Sequence, residues 1–288
     1  VDRRRVIKGV GTLAAASWLS FDVAAQESTT ETDILIIGGG IAGSATAFQL
    51  AQHGRDVTLL ERGEIASEAS GQNMGGLGGP GWGHMPNLQS HLTMGSLEIF
   101  KQLQIDMGYD MELRRAGTLT GIHTEAQYNY MQDQLVSLNS SGYDGHILTP
   151  REARAIEPEL SLELLGYTYH PERGQADPIK STRAFADAAQ KAGASIRTGQ
   201  NVSAISVRGS GGYSVQTERG EFRCQTLVLA TGAWCDPVGK MLGLKIPIKP
   251  VRGQMWATAP QPPRVFHNIS STESSLAWSH DNGADEST

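Results

Sequence analysis

Asp33–Arg62 reads DILIIGGGIAGSATAFQLAQHGRDVTLLER. An apolar run from Ile34 to Ile37 meets a glycine turn, a segment of helical spacing from Ala42 to His53 follows, and a second apolar run ends in the carboxylate of Glu61. This order predicts strand, turn, helix, strand. Gly38 permits a tight turn, Gly40 lets the backbone approach a pyrophosphate, and Gly43 lets the helix pack closely on the strand, so that its N-terminal amides face the phosphates. Glu61 stands 18 positions after Gly43, near the spacing of about 20 at which an acidic residue meets a ribose hydroxyl. The glycine pattern alone arises by chance. Its position between a buried-type strand and a helix makes it a nucleotide cradle.

Ahead of this unit lies DRRRVIKGVGTLAAASWLSFDVAAQ, with Arg3, Arg4, Arg5 and Lys8 followed by a mildly apolar run and the small residues Val23, Ala24 and Ala25. The run is too short and too rich in Gly, Ala and Ser for a spanning helix, which needs about 20 mostly apolar residues. It reads as an export signal over residues 1–25. The paired arginines resemble a twin-arginine signal with Asp2 and Val6 at its usual Ser/Thr and Phe positions, which implies the twin-arginine export machinery as a partner and a periplasmic location. That route carries folded proteins, as a protein that folds around a cofactor requires. Residues 1–25 hold four basic and two acidic side chains, so without them the net charge moves from −6 to −8. An acidic balance of this kind argues against nucleic-acid binding.

The 288 residues can bury a large core, and 34 glycines fit an α/β protein with many close turns. Cys224 and Cys235 flank an extended run, Gln225 to Ala230, that holds them too far apart for a bridge, since bridged Cα atoms lie within about 7 Å. They read as ordinary thiols. The eight histidines are scattered, with no metal-ligand spacing.

Ile65 to Pro86, IASEASGQNMGGLGGPGWGHMP, is too rich in glycine for a helix or central strand. It reads as a loop passing the pyrophosphate and a redox ring, with Ser70, Gly71, Asn73, Gly75 and Gly76 offering amides and small side chains, and with Trp82 and His84 as candidate pocket residues. Asn87 to Met107 has helical spacing and reads as core through Leu88, Leu92, Leu97, Phe100, Leu103 and Ile105. A strand is expected in LRRAGTLTGI from Leu113, a helix over Glu125 to Leu138 and a strand over His146 to Leu148. Thr149, Pro150 and Glu152 then form the start of a helix with a capping box. After Gly174 a helix and a strand return, with a hairpin across Gly209 to Gly212. From Asn268 the sequence turns polar and loses periodicity.

The second motif is Thr226 to Gly232, TLVLATG, an apolar strand closed by a small-residue turn at Gly232. Two such turns in one chain are what a two-dinucleotide flavoprotein brings together. With the loop ASEASGQNMGGL, the segments ILTPREARAIEPEL, GQADPIKSTRAFADAA and GQNVSAI, and LVLATGAWCDPVGKMLGLKIPIKPVRGQMWAT, the chain resembles the FAD-dependent D-amino-acid oxidase superfamily over most of residues 32–257, in particular its glycine oxidase, sarcosine oxidase and D-amino-acid dehydrogenase branch.

The resemblance implies an α/β fold in which a Rossmann-like FAD-binding domain of the two-dinucleotide type, residues 31–112 and 176–238, interleaves with a mostly antiparallel α+β substrate domain, residues 113–175 and 239–288. It implies noncovalent FAD, since Asn73 stands about where histidine-linked relatives carry their histidine. Ile41 and Ala42 would border the pyrophosphate, Glu61 and Arg62 the adenosine ribose, Ser70 with Met74, Gly75 and Gly76 the flavin side, and Val202 the adenine through its backbone. The implied reaction is oxidation of the C–N bond of an amino acid or secondary amine by hydride transfer to flavin, giving an imine that hydrolyses, with oxygen or a quinone as electron acceptor. No general base is nominated. Arg252, in its RGQ setting, reads as structural. The family continues beyond the part matched here with a glycine-rich strand-turn-helix and the usual substrate-carboxylate ligand, so the expectation is a domain incomplete at its C-terminus. The alternatives are a non-catalytic flavin-binding fragment and a flavin monooxygenase; the ATGAW turn and RGQ segment argue against the latter.

Overall fold

The computed structural model describes residues 29–78 and 88–272. The export segment 1–25, Trp82, His84 and the stretch after Thr272 lie outside the described residues. In chain order the elements are β1 (Thr29–Ile37), α1 (Ile41–Gln52), β2 (Val57–Leu60), β3 (Gly76–Leu77), α2 (Leu88–Lys101) running into a π-helical turn at Gln102–Asp106, β4 (Thr118–Ile122), α3 (Glu125–Ser140), β5 (His146–Leu148), α4 (Pro150–Ile156), β6 (Gly166–His170), β7 (Gly174–Gln175), α5 (Pro178–Lys191), β8 (Ser195–Arg197), β9 (Val202–Val207), β10 (Tyr213–Thr217), β11 (Gly220–Leu229), a 3-10 turn at Gly232–Trp234, α6 (Cys235–Lys240) and β12 (Asn268–Ser271).

The larger sheet has the order β8-β2-β1-β11-β10-β9. Its first four strands are parallel and its last two antiparallel. Alternation along β1 divides the core: Ile34 and Ile36 face α1 and α5, whereas Leu35 and Ile37 pack with Leu60, Ile205, Val215 and Phe222. Helices α1 and α5 meet through small residues, Ala47 and Ala51 on one and Ala184, Ala188 and Ala189 on the other, all buried. Phe185 stands edge-on to Phe48 and Phe100, with ring centroids 5.9 and 5.3 Å apart, a geometry aromatic quadrupoles favour. Cys224 and Cys235 are buried free thiols.

The smaller sheet has the order β12-β4-β6-β5. Its β4–β6 and β5–β6 pairs are antiparallel, while β12 joins β4 in parallel. A short β3–β7 pair links the glycine-rich loop to the start of α5. Both capping boxes form: Thr124 exchanges bonds with Gln127 at the start of α3, and Thr149 with Glu152 at the start of α4.

Three local expectations are corrected. The strand in LRRAGTLTGI begins only at Thr118, because Arg114 makes a single bridge to Gln175 and Gly117 turns the chain at φ 88°. In α2 and its π-helical turn, Leu97, Phe100 and Leu103 are buried, but Leu88 and Ile105 are 73% and 72% exposed; the apolar pattern is wider than the face that meets the core. Asn268–Ser271 is a strand despite its polar residues, since β4 offers an open edge and Ser270 Oγ lies 2.7 Å from Thr120 Oγ1.

Candidate functional site

The two glycine turns lie against each other. β1 and β11 run in parallel register through Ile37↔Leu229, and the Ala230 N–H donates to the Ile37 carbonyl at 2.9 Å. Gly38 has φ 118°, and a Cβ there would stand 2.3 Å from the Ala230 carbonyl oxygen. A Cβ on Gly43 would stand 1.9 Å from the Gly38 carbonyl oxygen. Only hydrogen at both positions lets strand, helix and second turn close to this distance.

α1 begins at Gly40, which gives it no side-chain cap, and its first turn carries no acidic residue. Helices α3, α4 and α5 are all capped by side chains of their own N-cap residues, Thr124, Thr149 and Asp177. The Ile41 N–H instead donates to Ser70 Oγ at 2.9 Å, from the glycine-rich loop. Ala42, next along, is exposed. The positive end of the α1 dipole is thus left open to an anion.

Glu61 closes the other side. It is buried, and its carboxylate accepts from the Gly39 N–H at 2.6 Å and the Gly63 N–H at 2.7 Å. The Glu61 carbonyl accepts from the Gln200 N–H at 2.8 Å, two residues before the half-buried Val202 that opens β9. The Arg62 side chain is engaged within the protein: its guanidinium pairs with Glu68 at 2.7 Å and lies 4.1 Å from the Trp234 ring centroid. It brackets the loop to the second turn. Gly232, at φ 52°, is exposed, and a Cβ there would meet nothing within 4 Å.

Along the loop, Ala66 is held at φ 67°, an uncommon conformation for a residue with a Cβ. Asn73 uses its side chain within the loop, donating to the Ala69 and Ser70 carbonyls and accepting from the Gly75 N–H at 2.8 Å. Gly75 is buried, with its carbonyl accepting from Ala176 N–H. Met74 and Gly76 are exposed, and a Cβ on Gly76 would meet nothing within 4 Å. Arg252 is exposed.

The structure therefore brings Gly38, Gly40, Ile41, Gly43, Glu61 and Ser70 around one helix N-terminus. Sequence reasoning missed Gly39, whose N–H is half of the Glu61 clasp, as well as Gly63, Gln200 and Trp234. The middle glycine of GGG was a readable signal for Gly39; Gly63 lies two residues from Glu61, and Gln200 and Trp234 depend on contacts between distant segments.

The pattern of the family described as FAD dependent oxidoreductase (DAO) matches residues 33–283. The chain belongs to this family. Glycine oxidase of Geobacillus kaustophilus is 31% identical over 243 residues, covering 81% of this chain and 63% of that protein. Its crystal structure superposes with a TM-score of 0.69 at 29% identity, over 75% of this chain and 59% of that one. Mouse mitochondrial dimethylglycine dehydrogenase is 28% identical over 80% of this chain and 26% of its own length. The chain thus spans between about a quarter and two thirds of these relatives. The family's cofactor is FAD, and the cradle fits its diphosphate and ribose: the close-packed glycines, the open helix N-terminus and the Glu61 carboxylate are of the right kind and gather at the C-terminal ends of the parallel strands β1 and β2.

Proposed function

We propose that the chain is the cofactor-binding part of an FAD-dependent oxidoreductase that oxidises the C–N bond of an amino acid or secondary amine. The observation that carries this reading is the lock between the two glycine turns, Gly38 and Gly43 both closing against Ala230. A single-turn nucleotide site has no need of contact with a second turn. Similarity to glycine oxidase and dimethylglycine dehydrogenase supports the substrate class. FAD, when bound, supplies the two-electron acceptor that no side chain provides.

This chain's own residues bind and orient. Gly38, Gly40 and Gly43 keep side chains out of the phosphate path, and Ile41, its amide held by Ser70 Oγ, and Ala42 border the diphosphate. Glu61, already fixed by two backbone donors, accepts from ribose hydroxyls through its remaining lone pairs. The Val202 backbone borders adenine, and Gly232 lies at the mouth of the second turn. Ser70, Asn73, Met74, Gly75 and Gly76 shape the side where the redox ring lies, Asn73 by holding the loop rather than by touching the ring. In this reading residues 31–112 and 176–238 form the FAD domain, and 113–175 with 239–288 contribute to the substrate domain. The oxidised substrate leaves as an imine that water hydrolyses, and oxygen or a quinone takes the electrons. Export by the twin-arginine route to the periplasm completes the proposal; an Arg3→Lys, Arg4→Lys pair should leave the protein in the cytoplasm.

The test is an absorbance spectrum of the purified protein with FAD, recorded anaerobically before and after glycine, sarcosine and D-amino acids. Flavin bands that bleach with one of them support the reading, and acid precipitation should release the flavin, as noncovalent binding requires. A bound flavin that no amine reduces would leave a cofactor-binding module and overturn the substrate class.

A further inference from the structure

Between Pro237 and Thr272 the chain carries Lys240, Lys245, Lys249, Arg252 and Arg264 and no acidic residue, although acidic side chains outnumber Lys and Arg 30 to 24 over the whole sequence. Two of these cations are paired, Lys240 with Asp236 and Arg264 with Glu159. Lys245, Lys249 and Arg252 are exposed, and no ion pair among the described residues includes them. Large apolar side chains interleave with them. Leu244, Ile248, Val251, Met255 and Trp256 are all exposed.

The stretch is held at both ends and open between them. At the near end the Ile246 N–H donates to Asp236 Oδ1 at 3.2 Å, and Ile246 lies so close over α6 that a Cβ on Gly239 would stand 2.7 Å from its Cδ1. At the far end the Phe266 N–H donates to the buried carboxylate of Glu157 at 2.7 Å. Every residue of 247–265 is exposed, and none is in a helix or strand.

A run that sets unpaired cations among Trp and aliphatic side chains asks two things of a partner, negative charge and an apolar phase. An anionic bilayer surface offers both. The indole suits the headgroup level, the aliphatic side chains suit the acyl boundary, and the lysine stems reach back to the lipid phosphates. A second copy of the chain matches less well, since it would bring the same unpaired cations together. With a charge every three or four residues over 245–252, the stretch lies on a bilayer rather than crossing it.

We propose that residues 244–256 form a docking surface for anionic lipid headgroups, with Val251 and Trp256 as the inserted side chains and Lys245, Lys249 and Arg252 as the headgroup contacts. This surface shares no residue with the cofactor cradle and does not rest on the amine-oxidising reading.

The test is sedimentation of the FAD-loaded protein with vesicles of phosphatidylcholine alone and of phosphatidylcholine mixed with phosphatidylglycerol. Binding should require phosphatidylglycerol and weaken as salt is raised. A cation near an anionic surface contributes about fivefold in affinity, so Lys245→Gln, Lys249→Gln should bind about tenfold or more weaker than the parent. Anionic vesicles should shift tryptophan emission to the blue, and Trp256→Ser should lose that shift and bind less. FAD content and thermal midpoint should stay the same in both variants, which separates lost docking from lost folding. No sedimentation with anionic vesicles, equal sedimentation with neutral ones, or undiminished binding by the lysine variant would overturn the proposal. Self-association in solution without any vesicle binding would assign the face to a second copy and overturn it as well. These readouts involve no turnover, so the lipid surface can fail while amines still reduce the flavin, and the reverse.

Discussion

At the residue scale the cradle is built from backbone-to-backbone approach and one clasped carboxylate. Gly43→Ala places a methyl 1.9 Å from the Gly38 carbonyl oxygen, a backbone atom that cannot rotate away. The expected cost is about 1–3 kcal/mol or more of overpacking, read as a lower urea midpoint together with loss of FAD binding. Gly76→Ala, which meets nothing within 4 Å, should leave the midpoint unchanged. Glu61→Gln sets an amide N–H₂ against one of two backbone donors held at 2.6 and 2.7 Å, at about 1–3 kcal/mol; flavin fluorescence titration should show FAD affinity down by more than tenfold. Arg62→Met removes an ion pair and a ring contact at a half-exposed site, worth about 0.5–1 kcal/mol each at most, and Trp234 emission should shift to the red. The sequence made Gly38, Gly40, Gly43 and Glu61 legible because their spacing is local. It could not show that Arg62 is occupied by Glu68 and Trp234, since those partners come from a loop and from a turn far along the chain.

At the element scale, local chemistry wrote the helix starts legibly and the strand partners poorly. The Thr149–Glu152 capping box and the Pro150 start were readable, because a cap is settled within four residues, whereas the Thr124–Gln127 box, equally local, went unread. β12 was not, because its polar residues carry no alternation and its stability comes from β4. Glu157 is what holds that return. It ends α4, is fully buried, and its Oε2 accepts from the Phe266 N–H at 2.7 Å and from the His267 N–H and Nδ1 at 3.0 Å. Burial alone would raise its pKa, but these hydrogen bonds outweigh it and hold the group below 4.5. A carboxylate lowered by folding contributes stability above its unfolded pKa and loses it as pH falls through the folded one. Glu157→Gln should therefore be less stable than the parent by about 1–3 kcal/mol at pH 7, with the difference narrowing below pH 4.5 in urea midpoints measured across that range. A constant difference would mean that Glu157 holds the segment by shape rather than by charge.

At the scale of the whole molecule, the stretch between α6 and β12 carries apolar side chains on the outside, with Val251 90% and Trp256 86% exposed and Met255 and Phe266 also uncovered. Exposed apolar surface of this kind favours association. Light scattering should show concentration-dependent self-association, reduced in a Val251→Ser, Trp256→Ser double variant, whose FAD binding should be unchanged. The α/β class was legible from glycine content and strand-helix alternation. That the two sheets share segments from distant parts of the chain was available only through resemblance, since periodicity says where strands are and not which ones pair.

The pairing of β1 with β11 sets a clock on assembly. Thr29 and Glu221 stand side by side although 192 residues separate them. At synthesis rates of about 5–20 residues per second, the far side of β1 waits roughly 10–40 seconds for its partner strand to emerge. During that interval β1 has an unsatisfied edge, and Gly38 has no Ala230 to close against. The glycine turn announced in the first fifth of the sequence becomes a binding site only when its last wall has been translated, so acquisition of the cofactor is a late event in the birth of this protein, and non-local closure rather than local helix formation should limit its rate.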